Sequence, residues 1–425
     1  MRITILTIGS RGDIEPYVAL SEGLSASGNN VRIATHENYK KLIISKGLEY
    51  SPLEGNPQEV LENEAGRKWL ETGKRINPIV FMKRMMDAAK SIMPRLLDDA
   101  IEACKGADLI MTHGLAGLAA ISIGEKFKVK VLPAYLQHVH PAKIYPSPMA
   151  TPIPKLGSYY NLMTYFLAAQ GYWQLMRPHI NRWRDESLGL PPFSFKGPLT
   201  RQSARDYRFL YGFSPNVLPK APEWGDNIHI TGYWFLNKSN GWTPPRELAD
   251  FIESGEPPVF VGFSSMTNRE PETVTRIVIE ALKKAGYRGI IATGWGGLGH
   301  IDLPETIYKI ESAPFDWLFP RMAAVVHHGG AGTTATGLRA GVPTIVVPFF
   351  GDQFFWGWRV SELGVGPRAI PRSKLNSEDL SARIIEAVSD KAMKSRAVEL
   401  GKLISAEDGV GNAVEIIDRL LQSEM

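Results

Sequence analysis

Between Val325 and Trp358 the chain reads VVHHGGAGTTATGLRAGVPTIVVPFFGDQFFWGW. Two apolar residues that can end a strand lead into His327 and His328, then into a turn rich in glycine at Gly329, Gly330 and Gly332. Thr333 and Thr334 open a predicted helix. Small residues let the backbone approach a phosphate closely, and the free N–H groups at a helix start favour an anion. A second apolar run, Ile345 to Phe350, leads into Gly351, Asp352 and Gln353. A carboxylate beside an amide presents several oriented hydrogen-bonding groups, which suits the hydroxyls of a sugar. A phosphate cradle followed by a hydroxyl clamp is the pattern of a sugar-nucleotide site.

Two plainer readings compete. Gly330 to Ala335 fits the loose dinucleotide fingerprint GxGxxA, and Asp352 falls near the distance at which that fingerprint wants an acid. That acid should cap the second strand, whereas Pro348 to Gly351 separate it from Val347. A strand, turn and helix without a ligand would explain the glycines, but neither the His pair nor Asp-Gln. At the other end of the chain, GSRGDIEPYVAL (Gly9 to Leu20) follows a short apolar run. Asp13 in that turn is either a helix N-cap before Pro16 or a carboxylate with chemistry to do.

The segments PFDWLFPRMAAVVHHGG and FFGDQFFWG resemble the donor-binding signature of family 1 glycosyltransferases with the GT-B fold. They are most similar to the sterol glucosyltransferases, with the glycopeptide-antibiotic glycosyltransferases second. The resemblance extends over the C-terminal half and returns at the N-terminus. It is weak between about Leu53 and Tyr211, where acceptor-binding segments of such enzymes diverge. It implies an α/β GT-B architecture of two Rossmann-like, doubly wound domains facing across a cleft. Residues 1–236 would form the acceptor-binding domain, 237–245 a linker, 246–405 the nucleotide-sugar domain, and 406–425 a helix crossing back. The activity implied is inverting, metal-independent transfer of a hexose, glucose from UDP-glucose, to a hydroxyl of a hydrophobic acceptor such as a sterol. A polyketide, macrolide or glycopeptide acceptor is the alternative within the class. A GT-B sugar-nucleotide epimerase and a non-catalytic nucleotide-sugar-binding partner are the alternatives outside it.

Residue roles follow from the same resemblance. Many family members carry a catalytic histidine in the first turn. Asp13 stands there instead, as in the sterol and glycopeptide branches, and would take the acceptor's proton. A free carboxylate titrates near 4, so it acts mainly as the new bond forms and the attacking oxygen becomes acidic. His113, in MTHGLAG, sits where some relatives place an acidic partner of the base, so orienting Asp13 or touching the acceptor is one expectation and a structural role the other. Ser10, Arg11 and Gly12 belong to the donor side. Ser265 in VGFSSM matches a serine that contacts the diphosphate, although Ser264 stands where glycine is usual. Trp295 in TGWGGL, with Ser312 and Ala313, resembles the positions that hold base and ribose. His328, Gly330 and the backbone N–H groups of Gly332, Thr333 and Thr334 would hold the diphosphate, helped by the helix dipole. Asp352 and Gln353 match the sugar-hydroxyl pair. His138 and His140 form a His-x-His with no third ligand in sight, so no metal is expected. No cofactor is expected beyond the UDP-sugar co-substrate.

Two segments compete for the acceptor. Ile76 to Cys104 is rich in methionine, with Met82, Met85, Met86 and Met93 at helical spacing and Pro94 as a breaker. Tyr159 to Trp183 is rich in aromatics, with Tyr159, Leu162, Met163, Phe166, Trp173, Met176 and Ile180 on one predicted face. Either stripe packs on the core, or it lines an apolar channel for a large acceptor opening near Asp13. The second reading names Met85, Tyr159, Phe166 and Trp173 as acceptor-binding.

Composition sets the outer bounds. A chain of 425 residues with 44% hydrophobic content is long enough for two or three domains with sizeable cores. A formal charge of +4 is too mild for a nucleic-acid partner and only weakly favours an anionic membrane surface. One cysteine, Cys104, excludes an intrachain disulfide and fits a reducing compartment. The apolar start, Ile3 to Ile8, is cut off by Arg11 and Asp13, which makes it a first strand rather than a signal peptide. No apolar run approaches the roughly 18 residues of a spanning helix. The known fungal sterol enzymes carry membrane-targeting domains upstream. The expectation is therefore a soluble, bacterial-type cytoplasmic relative, with membrane contact at most peripheral.

The elements that must position these residues follow from periodicity. Ile3–Ile8, Val31–Thr35, Asp108–Thr112, Lys130–Pro133 and Tyr207–Tyr211 read as strands, the last closing the first half. A helix is expected over Pro16–Ser27, after a turn at Gly9–Asp13. Ser214 to Pro245 reads as linker. The second half restarts with strands at Pro258–Phe263, Gly289–Thr293, Ile307–Ile310 and Ala323–Val326. Helices are expected at Pro271–Ala285, Ser377–Ser389, Lys391–Ser405 and Val410–Gln422.

Overall fold

The computed structural model describes residues 1–56, 92–198, 207–237, 241–263, 271–292 and 303–422. Ser265, Trp295 and Met85 lie outside the described residues, as does most of the methionine-rich segment. Apolar runs such as Ile3 to Leu6 bury their side chains on both faces, as a central parallel strand requires. The first half supplies β1 (Arg2–Leu6), β2 (Asn30–Thr35), β3 (Glu49–Pro52), β4 (Leu109–Thr112), β5 (Lys130–Tyr135), β6 (Phe209–Tyr211) and β7 (Ile228–Ile230). They pair in parallel in the order β3-β2-β1-β4-β5-β6-β7. The second half supplies β8 (Val259–Gly262), β9 (Gly289–Ala292), β10 (Ile307–Ile310), β11 (Ala324–His327) and β12 (Thr344–Val346), ordered β10-β9-β8-β11-β12. Both sheets reverse their strand order beside the first strand, at β1/β4 and at β8/β11. Such switch points are where open α/β sheets bind ligands, beyond the carboxyl ends of the strands.

Two expectations about elements need correction. Tyr207–Tyr211 is not the last strand of its half. The proline-rich stretch read as linker contributes β7, whose Ile228 lies opposite Phe209. The first helix, α1 (Arg11–Ala26), starts five residues before Pro16, because Ser10 caps it; Pro16 lies inside the helix. Pro94, expected as a breaker, stands in the first turn of the helix Met93–Cys104, where its missing N–H costs nothing; the residues it was expected to break lie mostly outside the described ones.

The two halves share packed surfaces. The C-terminal helix (Gly409–Gln422) lies on α1, where a Cβ on Gly23 would run into Val410 Cγ1. Its Ala413 and Ile417 are buried with Ile3, Ile5 and Tyr17 of the first domain. A second shared cluster joins Tyr145, Tyr165 and Trp224 to Phe355 and Trp356.

Candidate functional site

The first half of the site is built by a capped helix start. Ser10 precedes α1, and its backbone N–H (2.8 Å) and hydroxyl (2.9 Å) both donate to Asp13 Oδ2. Asp13 is therefore the third helical residue rather than the N-cap, which corrects that reading. The carboxylate folds back over Gly9, whose φ is +144°; a Cβ there would sit 2.5 Å from Asp13 Oδ2. Glycine is thus required by its own backbone and by its neighbour's carboxylate. The remaining oxygen, Oδ1, faces His113 Nε2 at 3.5 Å. His113 follows β4, and its backbone N–H bonds to Leu6 at the end of β1, so the switch point of the first sheet brings the two together. Asp13 keeps 32% of its side chain exposed against 13% for His113, so the carboxylate fronts the opening and the imidazole backs it. Burial pushes the His113 pKa down, opposed by the Asp13 charge and the backbone of Ile8, and favours the neutral ring.

The second half is built by the glycine turn. Gly329, at φ +91°, would drive a Cβ to 2.6 Å from Val346. His327 ends β11 and its Nδ1 accepts the Gly329 N–H at 2.9 Å, so this histidine braces the turn. His328 is buried, its pKa pushed down to about 4 by that burial, and its Nε2 lies over Gly330. Gly330 caps the helix α9 (Ala331–Arg339). One expected donor is already used: the Thr334 N–H and hydroxyl both bond to the Gly330 carbonyl at 2.9 Å. The N–H groups that precede the first intrahelical bond are those of Ala331, Gly332 and Thr333. Ala331 therefore replaces Thr334 in the set.

These two helix starts face each other. A Cβ on Gly332 would lie 3.9 Å from the Cα of Gly12, and each glycine is the second residue of its helix. Two positive helix ends at this separation repel unless an anion lies against both. Arg11 adds charge nearby but is paired with Glu15 one turn on. Ser312 and Ala313 follow β10 at the same carboxyl edge of the second sheet, the serine exposed and the alanine half-buried.

Asp352 precedes the helix Gln353–Glu362 and joins the two halves. Its Oδ2 accepts from Trp356 Nε1 at 2.9 Å and from Gln137 Nε2 at 2.6 Å, the latter reaching over from the loop after β5. Burial lifts the Asp352 carboxyl to about 7, the Trp356 bond opposes the rise, and the negative charge of Asp13 adds to it. Gln353 turns its Oε1 inward to the N–H groups of Phe349 (2.8 Å) and Phe350 (3.2 Å), fixing the loop that carries Asp352. Sequence reasoning missed Gln137. Its one signal is position: it follows a strand's carboxyl end, two residues beyond Tyr135.

The expected acceptor stripe divides in two. The helix α5 (Gly157–Glu186) has 30 residues, and at 1.5 Å per residue spans about 45 Å, more than the domain covers. Its second half is buried: Trp173 is 4% exposed and donates to the Phe195 carbonyl at 2.8 Å. Its first half turns Thr164 and Tyr165 inward but leaves Tyr159 89% and Phe166 65% exposed. Trp173 is therefore core, and among the described residues Tyr159 and Phe166 line no enclosed channel. His138 and His140 are also absorbed locally. His138 Nε2 meets the Pro146 carbonyl at 3.1 Å, and His140 Nδ1 meets the Tyr211 hydroxyl at 2.5 Å.

Comparison with known proteins agrees with this geometry. The model of the glycosyltransferase family 28 N-terminal domain matches residues 3–136, and that of the erythromycin biosynthesis protein CIII-like C-terminal domain matches 293–420. The sterol 3-beta-glucosyltransferase of Emericella nidulans is 40% identical over 99% of this chain and 30% of its own length. The chain thus spans about 30% of the length of the curated relatives it matches. Among solved structures, the calicheamicin glycosyltransferase CalG4 aligns with a TM-score of 0.71 at 16% identity, over 99% of this chain and 98% of that one. SsfS6, a glycosyltransferase of Streptomyces sp. SF2575 complexed with thymidine diphosphate, aligns with a TM-score of 0.65 at 19% identity, over 99% of each chain. At such identities these two establish the fold.

Proposed function

We propose that this chain, which belongs with the GT-B glycosyltransferases as a homologue of the sterol 3-beta-glucosyltransferases, transfers a hexose from a nucleotide sugar to a hydroxyl of a hydrophobic acceptor. The relatives' names favour a glucosyl group and a sterol; UDP-glucose is the donor that the sequence resemblance implies. The observation that carries the reading is the convergence of two helix starts, with Asp13 on one and Asp352 beside the other. In this reading the diphosphate lies against the two helix starts, on the N–H groups of Ala331, Gly332 and Thr333 and under His328. Those fixed dipoles take up the charge that develops on the leaving oxygen. Asp352 then receives the sugar hydroxyls, with Gln137 closing the far wall.

The acceptor hydroxyl approaches Asp13 Oδ1, the oxygen not held by Ser10. As its oxygen bonds to the anomeric carbon, the proton passes to Asp13 and the bond to the diphosphate breaks. His113, neutral and behind, steadies the carboxylate. Asp352 is tied by Gln137 and Trp356, which leaves one carboxylate positioned as a base and none as a nucleophile. That arrangement favours a single displacement with inversion. The test is incubation with UDP-glucose and cholesterol in detergent, followed by mass spectrometry. UDP and steryl hexoside should appear in equal amounts. UDP-glucose consumed to an isomeric sugar nucleotide, or transfer only to polyketide or peptide acceptors, would overturn the assignment.

A further inference from the structure

We propose that the outer face of the first domain, formed by the first half of α5 and the loop before it, docks on an anionic lipid bilayer. Tyr159, Met163 and Phe166 follow one another at helical spacing and all stand exposed, with Leu156 (55%) and Leu167 (57%) at the edges. The loop before the helix adds Ile144 and Ile153, also exposed. It is pinned alongside by the Asn161 side chain on the Lys143 carbonyl (2.8 Å) and the Tyr160 hydroxyl on the Thr151 carbonyl (2.7 Å). Single exposed apolar residues are ordinary, but a contiguous row marks a contact surface.

Charge selects the occupant. From Lys126 to Arg184 the chain has no Asp or Glu, although these make up 44 of its 425 residues. Lys143 and Lys155 are exposed within the apolar row, and Glu223, also exposed, accepts the Lys143 N–H at 2.8 Å. A basic apolar surface complements anionic headgroups over an acyl layer. A second copy of the same face would set lysine against lysine. The loop also begins at Gln137, which touches Asp352, so one loop joins this face to the cleft. The purpose of docking rests on the proposed hydrophobic acceptor, which would be drawn from that bilayer; the docking itself does not.

Vesicle flotation of the full chain, without donor or acceptor, tests the proposal. Vesicles of phosphatidylcholine with about 30% phosphatidylserine should bind the protein at least about tenfold more tightly than phosphatidylcholine alone, and binding should weaken as salt rises. Leu156→Ser with Leu167→Gln, and separately Lys143→Glu with Lys155→Glu, should each weaken it about tenfold or more. Serine is a favourable residue at the helix-capping position of Leu156 and glutamine a good helix former, so thermal stability and UDP binding should be unchanged. Failure of the wild type to float, or variants that float like it, would overturn the proposal. So would a concentration-dependent dimer, seen by light scattering, that the apolar pair abolishes. Because no glycosyl transfer is measured, failure here and failure of the proposed reaction are told apart.

Discussion

Acidification should destabilise this protein steeply between pH 7 and 5. Burial lowers several histidines, and four of them strongly, pushing His138 and His327 down to about 3 and His140 and His328 to about 4. An unfolded histidine titrates near 6.5, so between 6.5 and 4 the unfolded chain takes up protons that the native chain refuses. With the folded value below the unfolded one, stability is full above about 6.5 and drains as pH falls. By linkage each histidine costs about 2 kcal/mol between pH 7 and 5, and whether its native value is 3 or 4 hardly matters at pH 5. Asp352 acts in the opposite sense: lifted to about 7, it penalises the fold at neutral pH and returns about 2 kcal/mol over the same interval. The net loss, on the order of 5 kcal/mol, equals the whole stability of many domains. Urea titrations at pH 7, 6 and 5, followed by tryptophan fluorescence, should show the midpoint falling while the slope holds. His138 packs against Tyr145 at 4.8 Å and Phe355 at 4.9 Å, so His138→Phe should fit and reduce the pH-dependent loss by about 2 kcal/mol. A midpoint constant from pH 7 to 5, or an unaltered pH dependence in His138→Phe, would refute the reasoning.

The other predictions concern the site. Gly9→Ala forces a Cβ against the Asp13 carboxylate, so transfer should fall by about 10²-fold, the usual cost of a misplacement near 1 Å, with UDP affinity retained in calorimetry. Equal activity would mean that the Asp13 position does not matter. Asp352→Ala and Gln137→Ala should weaken UDP-glucose binding about tenfold or more while sparing UDP, since a hydrogen bond to a charged partner contributes roughly 1.5–3 kcal/mol. Parallel losses for both ligands would remove Asp352 from the sugar. EDTA should leave transfer nearly unchanged, because the facing helix starts and His328 already address the diphosphate; loss restored by Mg²⁺ or Mn²⁺ would contradict that.

Much of the fold was legible because central parallel strands are continuous apolar runs and surface helices are amphipathic. The helices Pro271–Ala285, Ser377–Ser389 and Lys391–Ser405 appear with the expected bounds. β7 was hidden because its three residues sit among prolines and gain their strand character only by pairing with β6. The start of α1 was misread because Ser10 and Asp13 look like turn residues until their reciprocal bonding is seen. Within the site, the glycine turn, Asp13, His113 and Asp352 were all visible as residue types. Gln137 was not, since it meets Asp352 across 215 positions of sequence, which no local pattern reports. The aromatic stripe was legible as helix, but not which half is buried, because that depends on where the domain surface ends.

The central claim is that Asp13 takes the acceptor's proton, and Asp13→Asn tests it most directly. An asparagine oxygen can still accept from Ser10, so the helix start should keep its shape. Transfer from UDP-glucose to cholesterol and donor affinity by titration calorimetry are measured on the same preparation, beside His113→Ala. The account predicts a kcat loss of about 10²–10⁴ for Asp13→Asn, the range of a lost general base, with donor affinity within about twofold of wild type. His113→Ala should lose less. Donor binding lost together with turnover, or a larger loss at His113 than at Asp13, would contradict it.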